Sequence, residues 1–121
     1  MTIKPFVLHV VDLLSREYEP LRPRRMFGGH GIYHGDLMFA LVGDNIVYVK
    51  TDDISRSDFL AAGLPQFPSS CTGGEQPALA YFAIPPEALE DPDVLKLWAI
   101  KGYEAARRDA EAIRWKRRGK N

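Results

Sequence analysis

The side chains that most often carry out enzyme chemistry are scattered along this sequence rather than grouped. Its single cysteine, Cys71, lies in a run of serine, threonine and glycine. A nucleophilic cysteine needs a neighbouring base and a lowered pKa, and nothing in the spacing of the three histidines puts one beside Cys71. We therefore expect a free loop thiol and no catalytic residue. A small enzyme or ligand-binding protein that uses the Cys71 loop stays open as an alternative.

Two histidines and a glycine-rich run could suggest a metal or a phosphate ligand. His30 and His34 have the spacing of two metal ligands on a helix. In a strand, which we predict here, they would lie about 13 Å apart at ~3.3 Å per residue. The run 28–31 lacks the Gly-Lys-Ser/Thr ending of a phosphate-binding loop. We expect no metal and no cofactor.

Basic side chains gather near the end of the chain, beside a tryptophan. Residues 1–100 hold 8 basic and 13 acidic side chains, a net charge of −5, whereas residues 101–121 hold 8 and 3, a net charge of +5. The favoured interpretation is a solvated helix end whose cations complement the helix dipole. The alternative is a direct nucleic-acid-binding protein, since cations beside an aromatic ring suit phosphates and a stacked base. The residues that would make this contact are Arg107, Arg108, Arg114, Trp115, Lys116, Arg117 and Arg118.

A second basic group precedes the glycine-rich run. It comprises Arg22, Arg24 and Arg25. Guanidinium groups bind phosphate or carboxylate with two parallel hydrogen bonds, so these arginines could hold a partner. They could equally pair within the chain, and acidic residues outnumber basic ones in this part of the sequence. We favour internal pairing, with Asp52, Asp53 or Asp58 as the carboxylates.

Length and composition favour a single domain, which we place at 1–121. The chain has 121 residues, of which 45% are hydrophobic, enough for a buried core. One cysteine permits no internal disulfide. No apolar run approaches the ~20 residues of a membrane span, and the first residues do not resemble a signal peptide. We expect a cytoplasmic protein.

Hydrophobic periodicity and turn residues divide the chain into helices and strands. Apolar residues recur at helical spacing at both ends, and short alternating runs separated by glycine, aspartate and asparagine lie between them. The predicted elements begin with a helix over 3–18 and strands over 24–29, 31–34, 37–42 and 46–50. A short helix follows, which begins at a Ser55 N-cap with Asp58 as its capping-box partner and ends at Gly63. A fifth strand over 78–84 precedes a long helix, which begins at an Asp91 N-cap, runs to about residue 116 and has a frayed basic end at about 114–121.

Tight turns join only antiparallel neighbours, so the strands predict an antiparallel meander. Strict alternation would put Leu37, Phe39 and Leu41 on one face of the third strand. Met38, Ala40 and Val42 would then lie on the other face. The order α-β-β-β-β-α-β-α predicts an α+β fold of two layers, an antiparallel sheet of about five strands with helices packed on one face.

Several runs resemble the TfoX/Sxy N-terminal domain family. The most specific is the segment 24–33, Arg-Arg-Met-Phe-Gly-Gly-His-Gly-Ile-Tyr, followed by Met-Phe-Ala-Leu-Val at 38–42. The resemblance continues in 48–52 and extends over roughly residues 10–100. Further matching positions are Phe59, Ala61, Ala62, Gly63, Tyr81, Ile84 and Pro85.

The resemblance implies the fold order given above and a regulatory role. The best-known members regulate natural-competence genes together with a transcription factor and are not enzymes. They also carry a second, helical domain, for which this chain is too short. We therefore expect a non-enzymatic regulatory or adaptor domain that binds a protein, with a homodimer through the sheet face or an edge strand as one form. The interaction residues expected are Arg24, Arg25, Met26, Phe27, Gly28 and Gly29.

Overall fold

Helices and strands follow one another in the predicted order. The computed structural model describes residues 5–16, 18–26, 29–67 and 81–118, except for the side chains of Met26 and residues 116–118. Its elements are α1 (Pro5–Leu14), β1 (Leu21–Met26), β2 (Gly29–His34), β3 (Leu37–Gly43), β4 (Ile46–Lys50), α2 (Arg56–Ala61), β5 (Tyr81–Ala83), a 3-10 helix (Pro86–Glu90) and α3 (Pro92–Arg118). The predicted α+β fold is confirmed, and the 3-10 helix is an additional element that was not predicted.

The five strands form one antiparallel sheet in which each strand pairs with the next along the chain. Tight turns make this meander possible. Gly35 lies between β2 and β3 with φ of 63°, and Asp44 and Asn45 join β3 to β4 with φ of 51° and 61°. Positive φ at both central residues gives the hairpin turn whose twist matches that of the flanking strands. The predicted meander is confirmed.

The first hairpin lies in a different place from the predicted one. The run 24–29 is not one strand, because β1 begins at Leu21 and ends at Met26, and β2 begins at Gly29, which pairs with Met26. Pro23 does not prevent strand formation because β1 is at the edge of the sheet, where a missing N–H is tolerated. Gly29 lies so close to β3 that a Cβ there would overlap the backbone carbonyl of Val42.

A bulge in β3 overturns the predicted assignment of its faces. Ile32 pairs with Ala40 but the next residue, Tyr33, pairs with Met38, so Phe39 is an extra residue in β3. An extra residue reverses the alternation beyond it. Phe39 and Ala40 therefore both lie in the core beneath the helices, and Leu41 lies on the opposite face.

The main core lies between the helices and one face of the sheet. α3 crosses β3 and β4 closely, because Gly102 has no side chain: a Cβ there would lie 2.5 Å from the Cβ of Val49 and 3.2 Å from the carbonyl oxygen of Phe39. Phe59 of α2 packs edge to face on Trp98 of α3, with 4.9 Å between ring centroids. The fully buried members of this core include Val10, Leu14, Ile32, Phe39, Ala40, Val49, Phe59, Ala99 and Ala106.

A smaller apolar cluster covers part of the other sheet face. The ring of Phe67 stands edge to face on Tyr48, with 4.9 Å between centroids. Burial raises the pKa of Tyr81, so its hydroxyl stays protonated and donates to the carbonyl oxygen of Met38 at 3.4 Å. The cluster comprises Leu41, Tyr48, Phe67, Tyr81 and Ala83, with Met38 at its margin.

The start of α2 is capped three residues earlier than predicted. Ser55 makes no side-chain cap bond at the helix start. Instead the Asp52 carboxylate accepts the backbone N–H groups of Ile54 and Ser55 at 3.1 and 3.0 Å, and Ser55 Oγ accepts the N–H of Asp52 at 3.1 Å. This is a reciprocal capping box with Asp52 as its first member. Asp58, the predicted partner, instead bonds Lys101.

The predicted cap of α3 is confirmed. Asp91 Oδ1 accepts the backbone N–H groups of Asp93 and Val94 at 3.1 and 3.4 Å. Pro92 occupies the first helical position, where a missing N–H costs nothing. The fifth strand is described only over Tyr81–Ala83, since residues 78–80 of the predicted run lie outside the described residues.

Substituting Gly102→Ala tests the close crossing of α3 over the sheet. Alanine favours a helix over glycine by about 1 kcal/mol, but overpacking a core costs about 1–3 kcal/mol. We expect a net loss of stability of up to about 2 kcal/mol in urea unfolding, because the new methyl group meets Val49 and a backbone carbonyl.

The exposed swap Ala112→Gly is the control for helix propensity and is expected to destabilise by at most about 1 kcal/mol. Adding Val49→Ala to Gly102→Ala should cost less than the sum of the two single changes, because the smaller side chain makes room. Strictly additive effects, or a stabilised Gly102→Ala protein, would contradict the proposed crossing.

Candidate interaction surfaces

A basic and aromatic patch lies on the part of the second sheet face nearest β1. Tyr33 is paired across the strands with Arg22 on one side and Met38 on the other, so all three side chains share a face. Arg24 follows Arg22 by two residues on the same face. Its guanidinium carbon lies 5.6 Å from the centre of the Tyr33 ring, within the range of a cation–π contact. We call Arg22, Arg24, Tyr33 and Met38 the β1–β2 patch.

The arginines of this patch do not pair with the expected carboxylates. Arg22 donates to the carbonyl oxygen of Gly35 at 3.4 Å. Among the described residues, Arg24 has the Tyr33 ring but no carboxylate partner. The expected carboxylates are instead held by cations from other elements: Asp52 by Arg108, Asp53 by Arg56 and Asp58 by Lys101. The prediction that Arg22 and Arg24 pair with Asp52, Asp53 or Asp58 is therefore wrong.

The predicted interaction residues of the run 24–29 do not lie on one surface. Arg24 lies on the β1–β2 patch, whereas Arg25 is the next residue in the strand and points to the opposite face. The backbone of Met26 pairs with Gly29, whose lack of a side chain allows the close approach of β3. Phe27 and Gly28 lie outside the described residues. Tyr33 and Met38 were not singled out from the sequence, although pairing β1 with β2 through a short turn would have placed Tyr33 among the arginines.

Both edges of the sheet are poorly suited to adding a further strand. At one edge, β1 carries Pro23, which has no N–H, between arginines. Proline and charge are common protections of an edge strand. At the other edge, the segment 64–67 covers β5: Phe67 N–H donates to the Tyr81 carbonyl and Ala83 N–H to the Pro65 carbonyl, both at 2.8 Å. This geometry disfavours a homodimer through an edge strand.

Two of the C-terminal basic residues form ion pairs with carboxylates of this chain. Arg108 donates to both carboxylate oxygens of Asp52, at 2.6 and 3.0 Å. These hydrogen bonds lower the pKa of Asp52 to about 2. Arg107 lies 3.2 Å from a Glu104 oxygen and 3.6 Å from a Glu111 oxygen. Both arginines were predicted as nucleic-acid contacts, but their charges are balanced by neighbouring carboxylates.

The remaining predicted nucleic-acid residues lie at the exposed end of α3. Arg114 is exposed, and the Trp115 side chain is 73% exposed. The positions of Lys116, Arg117 and Arg118 belong to the helix, but their side chains lie outside the described residues. These five residues, unlike Arg107 and Arg108, stay candidates for contact with a partner.

His34 belongs to an aromatic cluster rather than to a metal site. Its Nδ1 lies 2.8 Å from the Tyr103 hydroxyl, and its Nε2 lies 3.3 Å from the carbonyl oxygen of Glu19. A neutral ring that donates from Nε2 and accepts at Nδ1 satisfies both contacts. Tyr18 stacks on Tyr103 with 4.2 Å between centroids and 7° between planes. This cluster was not predicted from the sequence, since its members come from the segment after α1, the end of β2 and the middle of α3.

Other predicted sites receive no added support. Within the described part of the chain, no group of three or more His, Cys, Asp or Glu side chains could hold a metal ion. Cys71 and its loop lie outside the described residues. A crevice between α1 and α3, lined by Leu13, Leu95 and Ala99, has a volume of about 40 Å³. That is far below the roughly 300 Å³ of a small-molecule pocket. No helix in the described ranges is long and apolar enough to cross a membrane.

Comparison with known proteins agrees with the architecture. The family model described as the TfoX N-terminal domain matches residues 12–106, which is more than half of the 121-residue chain. The match spans the elements from within α1 to the middle of α3, and so includes the β1–β2 patch and the His34 cluster. A search of curated proteins found no match.

The Asp52–Arg108 pair predicts a pH dependence of stability. Because the pKa of Asp52 is lower in the folded protein than its ordinary value of 3.8, the carboxylate adds stability above about pH 4, and this stability is lost as the pH falls towards about 2. We expect Asp52→Asn to cost roughly 1–2 kcal/mol near neutral pH after allowance for solvent screening. Asparagine still caps a helix, so the change isolates the charge.

The measurement is urea unfolding of both proteins between pH 7 and pH 2, with the difference expected to shrink below about pH 4. Asp53→Asn is the matched control, because the Asp53 side chain is 99% exposed and pairs only with a neighbour on the surface. A difference between wild type and Asp52→Asn that stays constant over this pH range would contradict the assigned pair.

Proposed function

Because this chain belongs to the TfoX N-terminal domain family, we propose that it is a non-enzymatic regulatory domain that binds a protein partner through the β1–β2 patch. One observation carries the proposal. The Arg24 guanidinium lies 5.6 Å from the centre of the Tyr33 ring and has no carboxylate partner among the described residues. A cation held in place on an aromatic surface is prepared to accept an anionic group from outside.

The chemistry of the patch selects the kind of partner. Arg22 and Arg24 are exposed donors, while Tyr33 and Met38 are half-buried and offer apolar surface beside them. Arginine, tyrosine and methionine are the residue types enriched at the centres of protein interfaces. The fitting partner presents one or more carboxylates next to an apolar side chain. The partner therefore pairs charge with the arginines and covers the ring and the thioether.

The polar contacts elsewhere support a structural rather than a catalytic role. The Asp52–Arg108 pair joins the start of α2 to α3, and the contact between His34 and Tyr103 joins the sheet to α3. Each of these groups has a hydrogen-bond partner within the fold. In the described residues, no buried side-chain nitrogen or oxygen is left without a partner. None of these pairs therefore needs a substrate to explain it.

The patch favours a different protein over a second copy of this chain. A symmetric dimer brings the same surface of each copy together. Here that would place Arg22 and Arg24 of one copy against those of the other. Like charges in an interface are unfavourable. Since both sheet edges are also poorly suited to pairing, we propose a monomer that binds a different, acidic protein, in place of the homodimer.

A photo-crosslinking experiment tests this surface. p-Benzoylphenylalanine replaces Met38 at the margin of the patch, and in a matched protein it replaces Leu60, which is exposed on α2 away from the second sheet face. We expect one partner to be crosslinked from position 38 and not from position 60. Equal labelling from both positions would contradict the patch as the binding surface.

The identified partner then allows a direct measurement of affinity. Calorimetric titration compares wild type with Arg24→Gln and with Arg107→Gln, which removes the same charge from α3. A charge-assisted hydrogen bond contributes about 1.5–3 kcal/mol, so Arg24→Gln should weaken binding about tenfold or more. Arg107→Gln should bind as wild type does. Unchanged affinity in Arg24→Gln would refute the proposal.

A further inference from the structure

The last turns of α3 extend beyond the body of the domain. α3 has 27 residues, and among its described side chains the last to be buried is that of Ala106, which is 2% exposed. Twelve further residues follow to Arg118, a length of about 18 Å at 1.5 Å per residue. Over 111–115 every side chain is exposed. We call residues 109–118 the α3 arm.

From the charge and shape of this arm, we infer that it binds duplex DNA through the phosphates that border the major groove. This is a different surface from the β1–β2 patch and a different class of partner from the acidic protein proposed above. The inference depends on three properties of the arm: its unbalanced charge, the arrangement of that charge around the helix, and its separation from the acidic body.

The acidic residues of the arm are already paired with cations outside it. Asp109 lies 3.6 Å from the Lys50 ammonium group, and Glu111 lies 3.6 Å from the Arg107 guanidinium. No acidic residue follows Glu111 in the sequence. Arg114 has no carboxylate partner among the described residues. The cations of the arm are therefore not neutralised by its own carboxylates.

These cations surround more than half of the helix. Each residue advances about 100° around the axis, since an α-helix has 3.6 residues per turn. Positions 114, 116, 117 and 118 therefore span about 200° of the circumference. Ile113 and Trp115 are two residues apart, so they are about 200° apart around the axis and lie on nearly opposite sides. The arm has charge on several sides and no continuous apolar face.

This arrangement decides between the classes of partner. A helix that lies on a membrane, or pairs with another helix, needs apolar residues along one side, and the arm lacks them. The major groove of DNA is about 12 Å wide, admits an α-helix and has phosphates along both walls. A narrow helix with cations on opposite flanks fits that setting. The exposed ring of Trp115 adds apolar contact area at the same place.

The rest of the chain keeps the contact confined to the arm. Residues 1–100 carry a net charge of −5, whereas residues 101–121 carry +5. The body is therefore repelled by DNA while the arm is attracted, so the chain approaches with the arm first. With four cations at most in the groove, binding should be weak and independent of sequence, with a Kd on the order of 10⁻⁶ to 10⁻⁴ M near physiological salt.

Fluorescence anisotropy of a labelled 20-base-pair duplex, titrated with the full chain over about 50 to 200 mM salt, tests the inference. Four phosphate contacts predict a slope of log K against log salt of about −3 to −4. Arg114→Ala with Arg117→Ala should weaken binding at 50 mM salt at least tenfold and reduce the slope by about 2. Arg16→Ala with Arg56→Ala removes the same charge from the body and should change neither quantity appreciably.

Parallel titrations distinguish the other sources of binding. Because every side chain over residues 111–115 is exposed, the Arg114→Ala, Arg117→Ala protein should keep the wild-type melting temperature, so lost binding is not lost folding. Absence of binding at 50 mM salt overturns the inference. The inference is also overturned if both double variants weaken binding equally. Tighter binding to a single-stranded oligonucleotide of the same length, or to phosphatidylserine vesicles, would overturn it as well.

Discussion

The close crossing of α3 over β3 and β4 at Gly102 is the contact on which the rest of the structure depends. A side chain at this position would meet Val49 and the carbonyl oxygen of Phe39, so only glycine allows the helix to lie this deep. The depth and rotation of α3 set the positions of its other contacts. Tyr103 meets His34 on one side, and Lys101 and Arg108 meet Asp58 and Asp52 on the other. These long-range contacts anchor the helix to β2 and α2.

The bulge at Phe39 is a second constraint, and it determines what each face of the sheet presents. Without the extra residue, Leu41 would have pointed into the core and Ala40 away from it. With it, Phe39 and Ala40 both pack beneath the helices, and Leu41 joins Tyr48 and Phe67 on the opposite face. Phe67 packs on Tyr48 and Tyr81, near β4 and β5, whereas Arg22 and Arg24 of the β1–β2 patch are exposed. The same irregularity therefore fills the core and determines which side chains lie on the second face.

Local patterns in the sequence predicted most of the fold. Alternating runs and turn residues gave the meander, and Asp91 followed by Pro92 gave the start of α3, because these signals act over a few residues. The bulge, the start of β1 and the capping role of Asp52 were missed. Ser55 was predicted as the cap, but Asp52 takes that role and is also held by Arg108, which is 56 residues away in the sequence. Pro23 is tolerated within β1 because β1 is an edge strand.

The candidate surfaces were less predictable than the fold. The sequence identified Arg24 and the basic residues of α3, but it could not show which cations are free. That depends on carboxylates brought near by folding: Arg107 and Arg108 are balanced, whereas Arg24 meets an aromatic ring and Arg114 meets no carboxylate among the described residues. The cluster of Tyr18, His34 and Tyr103 depends likewise on contacts between distant segments.

The end of the family match coincides with the point at which α3 leaves the body. The match closes at residue 106, and Ala106 is the last buried residue of α3 among those whose side chains the structure describes. Arg108 and Asp109 still pair with Asp52 and Lys50, but residues 111–115 are exposed, so substitutions there carry little cost in folding free energy. Selection can therefore alter the end of the helix without endangering the domain. Related chains are free to diverge in this extension while they share the same sheet and core, and a new binding preference could evolve there in a few substitutions.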